Sequence, residues 1–256
     1  MVKLSCTILF FCSFAFSQVS PEIEFKSLVD DNHWKLRFND LSRKKWQSKW
    51  FLDGLKANVK NTQNGMIFSA GPIKGDDSNH AVLWTKKVFK GNLKIEYEFT
   101  KLDSENSQVN IIFIQATGKD PDKKDIFKWK NERTIPHMKT YFDNLVCLHI
   151  SYAAFDINGE YIRVRKYPRV EGEDFNSTTE IPPAIFNTGM FRQGIKYKIT
   201  IIKMKNKLFF NIDENGNQKL FSWSLTEDQS VNEGRIGLRH MYTRSSLYEN
   251  FKVYSN

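Results

Sequence analysis

Helical periodicity is almost absent from this 256-residue chain, and so are the motifs that mark most catalytic centres. It has no HExxH, no paired CxxC and no clustered His/Asp spacing, so it presents no catalytic metal set. It has no G-x-S-x-G elbow and no P-loop. Jelly-roll glucanases carry two carboxylates on one strand as a Glu-x-Asp-x-x-Glu type run, and no such run occurs here. Glu96 and Glu98 alternate correctly but sit among lysines in an ordinary amphipathic strand. Retaining hydrolysis is therefore disfavoured. A cofactor is not expected; a structural calcium is compatible with the fold class, but no loop names its ligands.

Long apolar runs are missing apart from Leu4 to Phe16, which follows the positive Lys3, and Ala15 and Ser17 put small residues at −3 and −1 before Gln18. That pattern predicts a signal peptide over residues 1–17, cleaved before Gln18, and no stable membrane insertion. Cys6 and Cys12 fall within it. Only Cys147 remains, so an internal disulfide is excluded and stability must come from a large core. This suits a bacterial periplasm better than an animal secretory route. The expectation is a periplasmic or secreted protein whose residues 18–256 form one domain, because no linker-like stretch interrupts them.

The chain contains 40% hydrophobic and 26% charged residues, enough apolar material for a core and too much charge for a membrane bundle. Its net charge is +9, with 14% aromatic residues and six Trp. An anionic partner with flat apolar faces fits that balance, and among such partners acidic polysaccharide ranks above nucleic acid, for which no recognition module is present. A generally basic, solvated surface is the better reading of the charge when charge is taken alone.

The sequence reads as many short strands. Leu93, Ile95, Tyr97 and Phe99 alternate with Lys94, Glu96 and Glu98, the period of a half-buried strand. Asn110 to Ala116 is nearly continuous apolar sequence, as in a central strand covered on both faces. Tyr197, Ile199 and Ile201 lead through Lys205-Asn206-Lys207 into Leu208, Phe210 and Ile212, and Asn215-Gly216 follows as a tight hairpin turn. Further strands are expected over Leu220 to Trp223, Arg235 to His240 and Phe251 to Tyr254. The fold class is all-β, an antiparallel β-sandwich or jelly roll. Two stretches break the rhythm. Asp120 to Asn144 is a basic connection around Trp129, expected to fold over one sheet. Tyr167 to Thr188 is a second, in which Pro168, Pro182 and Pro183 are expected to bar regular pairing.

Three strands carry candidate chemistry. In Tyr161 to Tyr167, Ile162 and Val164 point one way, while Tyr161, Arg163, Arg165 and Tyr167 point the other. Two guanidiniums between two phenols suit a carboxylate or sulfate on a sugar ring, since Arg binds such groups through parallel hydrogen bonds. A charged solvent-facing strand is the alternative. In Cys147 to Tyr152, Leu148, Ile150 and Tyr152 share one face, and Cys147, His149 and Ser151 the other. His149 lies beside small residues, either as a structural imidazole or as a base active near neutral pH. In Gly234 to Arg244, Ile236 and Leu238 are core, Arg235, Arg239 and Tyr242 face outward, and Arg239, His240 and Arg244 supply cationic donors. Gln115 and His80 are further candidate donors to a sugar.

Phe38-Asn39-Asp40, Tyr141-Phe142, His149 to Tyr152, Arg163 to Lys166, Gly234 to Met241 and Tyr248-Glu249-Asn250-Phe251, in that order, resemble a bacterial family of concanavalin-like jelly rolls long catalogued as a domain of unknown function. Its members occur in polysaccharide-utilisation clusters, including those for pectin side chains and ulvan. The resemblance covers most of the chain after the leader. It implies a concanavalin-like fold, a sugar site on one sheet and a role in breaking down acidic glycans, without settling the reaction.

Chemistry narrows the choice. A uronic acid can be opened by removing the C5 proton beside its carboxylate and expelling the C4 oxygen, which needs a neutralised carboxylate, a base and an acid. The leading expectation is a carbon–oxygen lyase, either a polysaccharide lyase or an oligosaccharide dehydratase, with His149 and Tyr161 or Tyr152 as base and acid. Arg163, Arg165 and Arg239, with Tyr167 and Arg244 nearby, would hold carboxylate or sulfate, and Gln115, His80 and His240 would orient the ring. The alternatives are a non-catalytic carbohydrate-binding protein on the same face, and a hydrolase whose carboxylates come from distant strands.

Overall fold

The computed structural model describes residues 19–256, so the expected leader at 1–17 lies outside the described residues. Sixteen strands carry the architecture. In chain order they begin with β1 (Lys35–Asp40), β2 (Trp50–Asp53), β3 (Asn58–Asn61), β4 (Met66–Ser69), β5 (Ala81–Thr85) and β6 (Phe89–Lys90). The longer strands β7 (Leu93–Lys101), β8 (Gln108–Gly118), β9 (Leu145–Asp156) and β10 (Gly159–Tyr167) follow. The chain ends with β11 (Glu180–Phe186), β12 (Lys196–Lys203), β13 (Lys207–Glu214), β14 (Asn217–Ser224), β15 (Glu233–His240) and β16 (Ser245–Ser255). Three short helices, α1 (Pro21–Val29), α2 (Met138–Asn144) and α3 (Phe175–Thr179), complete the elements that matter here.

The strands form two eight-stranded antiparallel sheets. One runs β14-β13-β12-β7-β16-β4-β3, with β1 also paired to β16; the other runs β11-β10-β9-β8-β15-β5-β2, with β6 paired to β15. Alternation explains why they stack. Leu93, Ile95, Tyr97 and Phe99 of β7 meet Ile112 and Ile114 of β8, Leu148, Ile150 and Tyr152 of β9, and Ile236 and Leu238 of β15 in one buried core. Each such aliphatic or aromatic side chain contributes about 1.5–3 kcal/mol by leaving water. Trp50 shows how the polar remainder is satisfied: its ring packs edge-on to Phe251 at 5.1 Å, and its indole N–H donates to Asp40 at 2.6 Å.

At the β13–β14 hairpin, Asn215 and Gly216 both adopt positive φ, as the expected tight turn requires. The prolines behave differently from expectation. Pro182 and Pro183 lie inside β11, which pairs with β10 on either side of a register shift (Val164 with Ile181, Ile162 with Ile185). β11 is an edge strand, where a missing N–H breaks no second ladder, so proline is tolerated. The α1 helix was not expected, although its signal is present: Ser20 caps the N–H of Ile23, Pro21 opens the first turn, and Glu22 and Glu24 stand at its positive end.

The basic connection does fold over a sheet. Ile126, Trp129 and Tyr141 cover Trp84 and Phe113 in a second apolar layer, on the outer face of the second sheet. Trp84, Phe113 and Tyr141 lie nearly parallel, with Phe113 5.3 Å from Trp84 and 5.9 Å from Tyr141. Gly237 makes room for this stack, because a Cβ there would sit 2.4 Å from the Trp84 ring. No helix among the described residues is long and apolar enough to cross a membrane.

Candidate functional site

Strand register assembles the site. His149 stands opposite Phe113 on one side and Arg165 on the other; Ser151 stands opposite Ile111 and Arg163; Arg239 stands opposite Ile111 and Val82. Residues directly opposite in antiparallel strands share a face. The outer face of the second sheet therefore carries one row of Val82, Arg239, Ile111, Ser151 and Arg163, beside a row of Trp84, Gly237, Phe113, His149 and Arg165. Four expected side chains from separate parts of the chain, His149, Arg163, Arg165 and Arg239, lie in adjoining rows.

His149 is only 2% exposed, and neither ring nitrogen has a hydrogen-bond partner. Burial, then the charges of Arg165, Arg239 and Arg163, hold its pKa well below the usual range, so the imidazole is neutral. The Tyr167 ring meets it edge-on at 4.7 Å, and the buried Tyr167 hydroxyl is also unpartnered. Burial raises that phenol's pKa. Arg239 donates from Nη2 to the Pro136 carbonyl at 2.7 Å and to His80 Nδ1 at 3.0 Å. Because a guanidinium only donates, His80 Nδ1 accepts, which leaves the proton on its unpartnered Nε2. Burial, then the charge of Arg239, lowers the His80 pKa to about 4, while Asp77 opposes the shift. Tyr242 stacks on His80 at 4.8 Å.

Arg165 is already engaged. It donates to Thr179 and Asn176, both at 2.7 Å, and its guanidinium lies 4.7 Å from the Phe175 ring, so it fastens α3 over the face. Glu180 lies 3.1 Å from Arg163 and 3.6 Å from Arg165. Arg163 remains 20% exposed and packs 4.7 Å above the ring of half-buried Tyr161, at the open end of the row.

The other expected residues lie elsewhere. Tyr152 alternates with Ser151 and points between the sheets, against Phe99 at 5.1 Å and Tyr248, where no ligand reaches it. His240 alternates with Arg239 in the same way. It stacks on Phe68 at 4.2 Å and lies 2.9 Å from the Tyr248 hydroxyl; burial, then the charge of Arg244, lowers its pKa to about 3. Arg244 is a buried structural cation bonded to Asn110, the Ala153 carbonyl and Asp103. Gln115 serves Lys203, accepting from its ammonium at 2.7 Å, and donates to the Gly91 carbonyl.

Three supporting residues had not been assigned to the site. Asp53 accepts from Arg133 Nε at 2.6 Å, Trp84 at 2.8 Å and Tyr141 at 2.9 Å. Burial pushes the carboxyl's pKa up while Arg133 draws it down. The Tyr141 ring so positioned lies 4.7 Å from the Arg239 guanidinium. An acid at the end of the apolar strand Trp50-Phe51-Leu52-Asp53 was the available signal. Among the described residues, no group of three or more His, Cys, Asp or Glu could hold a metal ion. A hollow of about 630 Å³ lies against the other sheet beside α1, between Phe25, Lys198 and Asp213. None of the side chains lining it carries a buried unpartnered polar atom, so the chemistry points to the second sheet instead.

Two stacked antiparallel sheets define the class as a β-sandwich of the jelly-roll type. The chain belongs to the family described as Domain of unknown function (DUF1961), whose model matches residues 35–253. A Bacillus subtilis protein of unknown function with a galectin-like fold superposes with a TM-score of 0.65 at 19% identity, over 86% of this chain and 97% of its own. Basic winged bean lectin, solved with Tn-antigen, gives 0.59 at 10% identity over 86% and 98%. Lectin II from Ulex europaeus gives 0.57 at 10% identity over 86% and 97%. At such identities the likeness is one of fold. No curated protein matches the chain.

Proposed function

We propose that the outer face of the second sheet binds an acidic saccharide. One observation carries the reading: unpartnered polar atoms of His149, Tyr167, Arg239 and His80 are gathered on this face. Buried polar groups are ordinarily paired, because each unpaired one costs about 1–3 kcal/mol. Several together on one face are what a hydroxyl-rich, charged ligand would satisfy. The family's lectin-like fold supports a saccharide in particular, as does the excess of positive charge.

The finer reading is β-elimination on a uronate, favoured by the neutral His149 beside Tyr167. The imidazole takes the C5 proton. The electron pair released becomes the C4–C5 double bond, the C4–O bond breaks, and the departing oxygen takes the Tyr167 proton. Return of the proton from His149 to the phenolate resets the site. A sugar at C4 makes the enzyme a lyase; a free hydroxyl, leaving as water, makes it a dehydratase. Arg239 would offset the charge that builds on the carboxylate. Tyr161, at the open end of the row, would contact the neighbouring sugar.

The test is calorimetric titration with uronate oligosaccharides, alongside ultraviolet absorbance of an unsaturated product. Binding with product that is lost in His149→Ala while binding persists supports elimination. Binding without product in the wild-type protein leaves a carbohydrate-binding protein. Failure of ulvan, alginate, pectin and glycosaminoglycan oligomers to bind at all overturns both.

A further inference from the structure

Five arginines are buried among the described residues: Arg133, Arg165, Arg235, Arg239 and Arg244. Four have a carboxylate partner. Arg133 lies 2.6 Å from Asp53, Arg235 2.9 Å from Asp125, Arg244 3.2 Å from Asp103 and Arg165 3.6 Å from Glu180. Arg239, fully buried, has none within salt-bridge distance among the described residues. Asp77 and Asp53 act on it only from beyond that distance. His80 and His149 are neutral, and Tyr141 presents only the face of its ring. Two donor nitrogens, Nε and Nη1, have no acceptor. A buried guanidinium with no ion-pair partner and incomplete hydrogen bonding is costly, and an anionic ligand would offset that cost.

We infer that the missing counter-ion of Arg239 is a single monoanionic oxyanion on the bound sugar, a ring carboxylate or a sulfate ester, which Arg239 alone pairs. This rests on the reading of the face as a saccharide site and deepens it. Arg163 and Arg165, the more conspicuous pair in the sequence, share the Glu180 carboxylate and are not the anion's seat. They end the two rows, and Arg165 holds α3. Arg239 is instead central, beside the unpartnered Nε2 of His80, which can donate to the same anion. The Pro136 carbonyl on Nη2 ties the covering segment to the same cation.

The experiment measures affinity at constant ionic strength for sodium glucuronate, its neutral methyl ester, glucose 6-sulfate and sodium acetate. The proteins are wild type, Arg239→Gln, Arg239→Lys and Arg163→Gln. In the wild-type protein, at least one charged sugar should bind about tenfold or more tighter than the neutral ester, the scale of a charge-assisted hydrogen bond. Which of the two binds identifies the oxyanion. Arg163→Gln should keep the preference; Arg239→Gln should lose it, and Arg239→Lys should retain part of it. Should Arg239→Gln fail to fold, the wild-type and Arg163→Gln comparison still decides. Equal affinity for acid and ester, or a preference lost in Arg163→Gln, overturns the inference while leaving saccharide binding intact. Acetate binding lost in Arg239→Gln, with no sugar bound by the wild type, would keep the anion site and overturn the saccharide reading.

Discussion

Arg133 and Asp53, eighty positions apart, form a fully buried ion pair whose Nε and Oδ2 lie 2.6 Å apart. Through it the covering segment is joined to the edge of the second sheet. The same carboxylate receives the Tyr141 hydroxyl, so one acid fixes both the cover and the ring beneath Arg239. The arginine also donates to the Ile126 carbonyl at 2.8 Å and stacks 4.1 Å over Trp129, which ties the middle of the segment to its end.

Removing one partner should therefore leave an uncompensated buried charge. Arg133→Met is expected to destabilise the protein by about 3–5 kcal/mol, read as the midpoint of urea unfolding. Removing both charges, in Arg133→Met with Asp53→Asn, should cost less than either single change. Strictly additive losses would show that the pair is not coupled.

Acid should destabilise the fold through its buried histidines. His80 and His240 have folded pKa values lowered to about 4 and about 3, below an unfolded value near 6.5. Between those limits the unfolded chain binds more protons, so stability rises with pH and is lost as pH falls from about 6.5. Melting temperatures measured from pH 7.5 to 4 should drop, and His240→Phe, which keeps the ring against Phe68, should drop less steeply. Equal slopes would mean that His240 is not buried neutral.

The two tyrosines of the core and the face should separate cleanly. Tyr152→Phe loses only a 3.4 Å contact with Tyr248 and is expected to leave saccharide affinity and turnover unchanged. Tyr167→Phe should keep the fold and, on the elimination reading, slow product formation by about 10²- to 10⁴-fold. Initial rates of ultraviolet absorbance on a uronate oligomer compare them.

Gln115→Ala should be a stability variant alone. It removes an acceptor from the buried ammonium of Lys203, whose pKa burial lowers to about 8, and is expected to cost about 1–3 kcal/mol. Saccharide affinity should not change. A loss of affinity at full stability would place Gln115 in the site after all.

Alternation makes much of this legible in the sequence. The faces of Cys147 to Tyr152 and of Tyr161 to Tyr167 were readable because period-two burial leaves no other choice once Leu148, Ile150, Ile162 and Val164 are inward. The same rule already placed Tyr152 opposite His149 and His240 opposite Arg239. Assigning those two to the site grouped residues by nearness along the chain when the pleat separates them. Asp53, Arg133 and Tyr141 were harder, since their meeting depends on how a covering segment folds back over the sheet, which no local pattern encodes. Pro182 and Pro183 misled because proline excludes a strand only from the middle of a sheet, and edge position is a property of the whole topology.

A structure of the protein with a bound uronate oligosaccharide tests the central claim most directly. The account predicts sugar oxygens within hydrogen-bond distance of Arg239 Nη1 and the Tyr167 hydroxyl, with the ring against His149. Sugar seated instead on the opposite sheet, between α1 and Lys198, with Arg239 still unpaired, would contradict it.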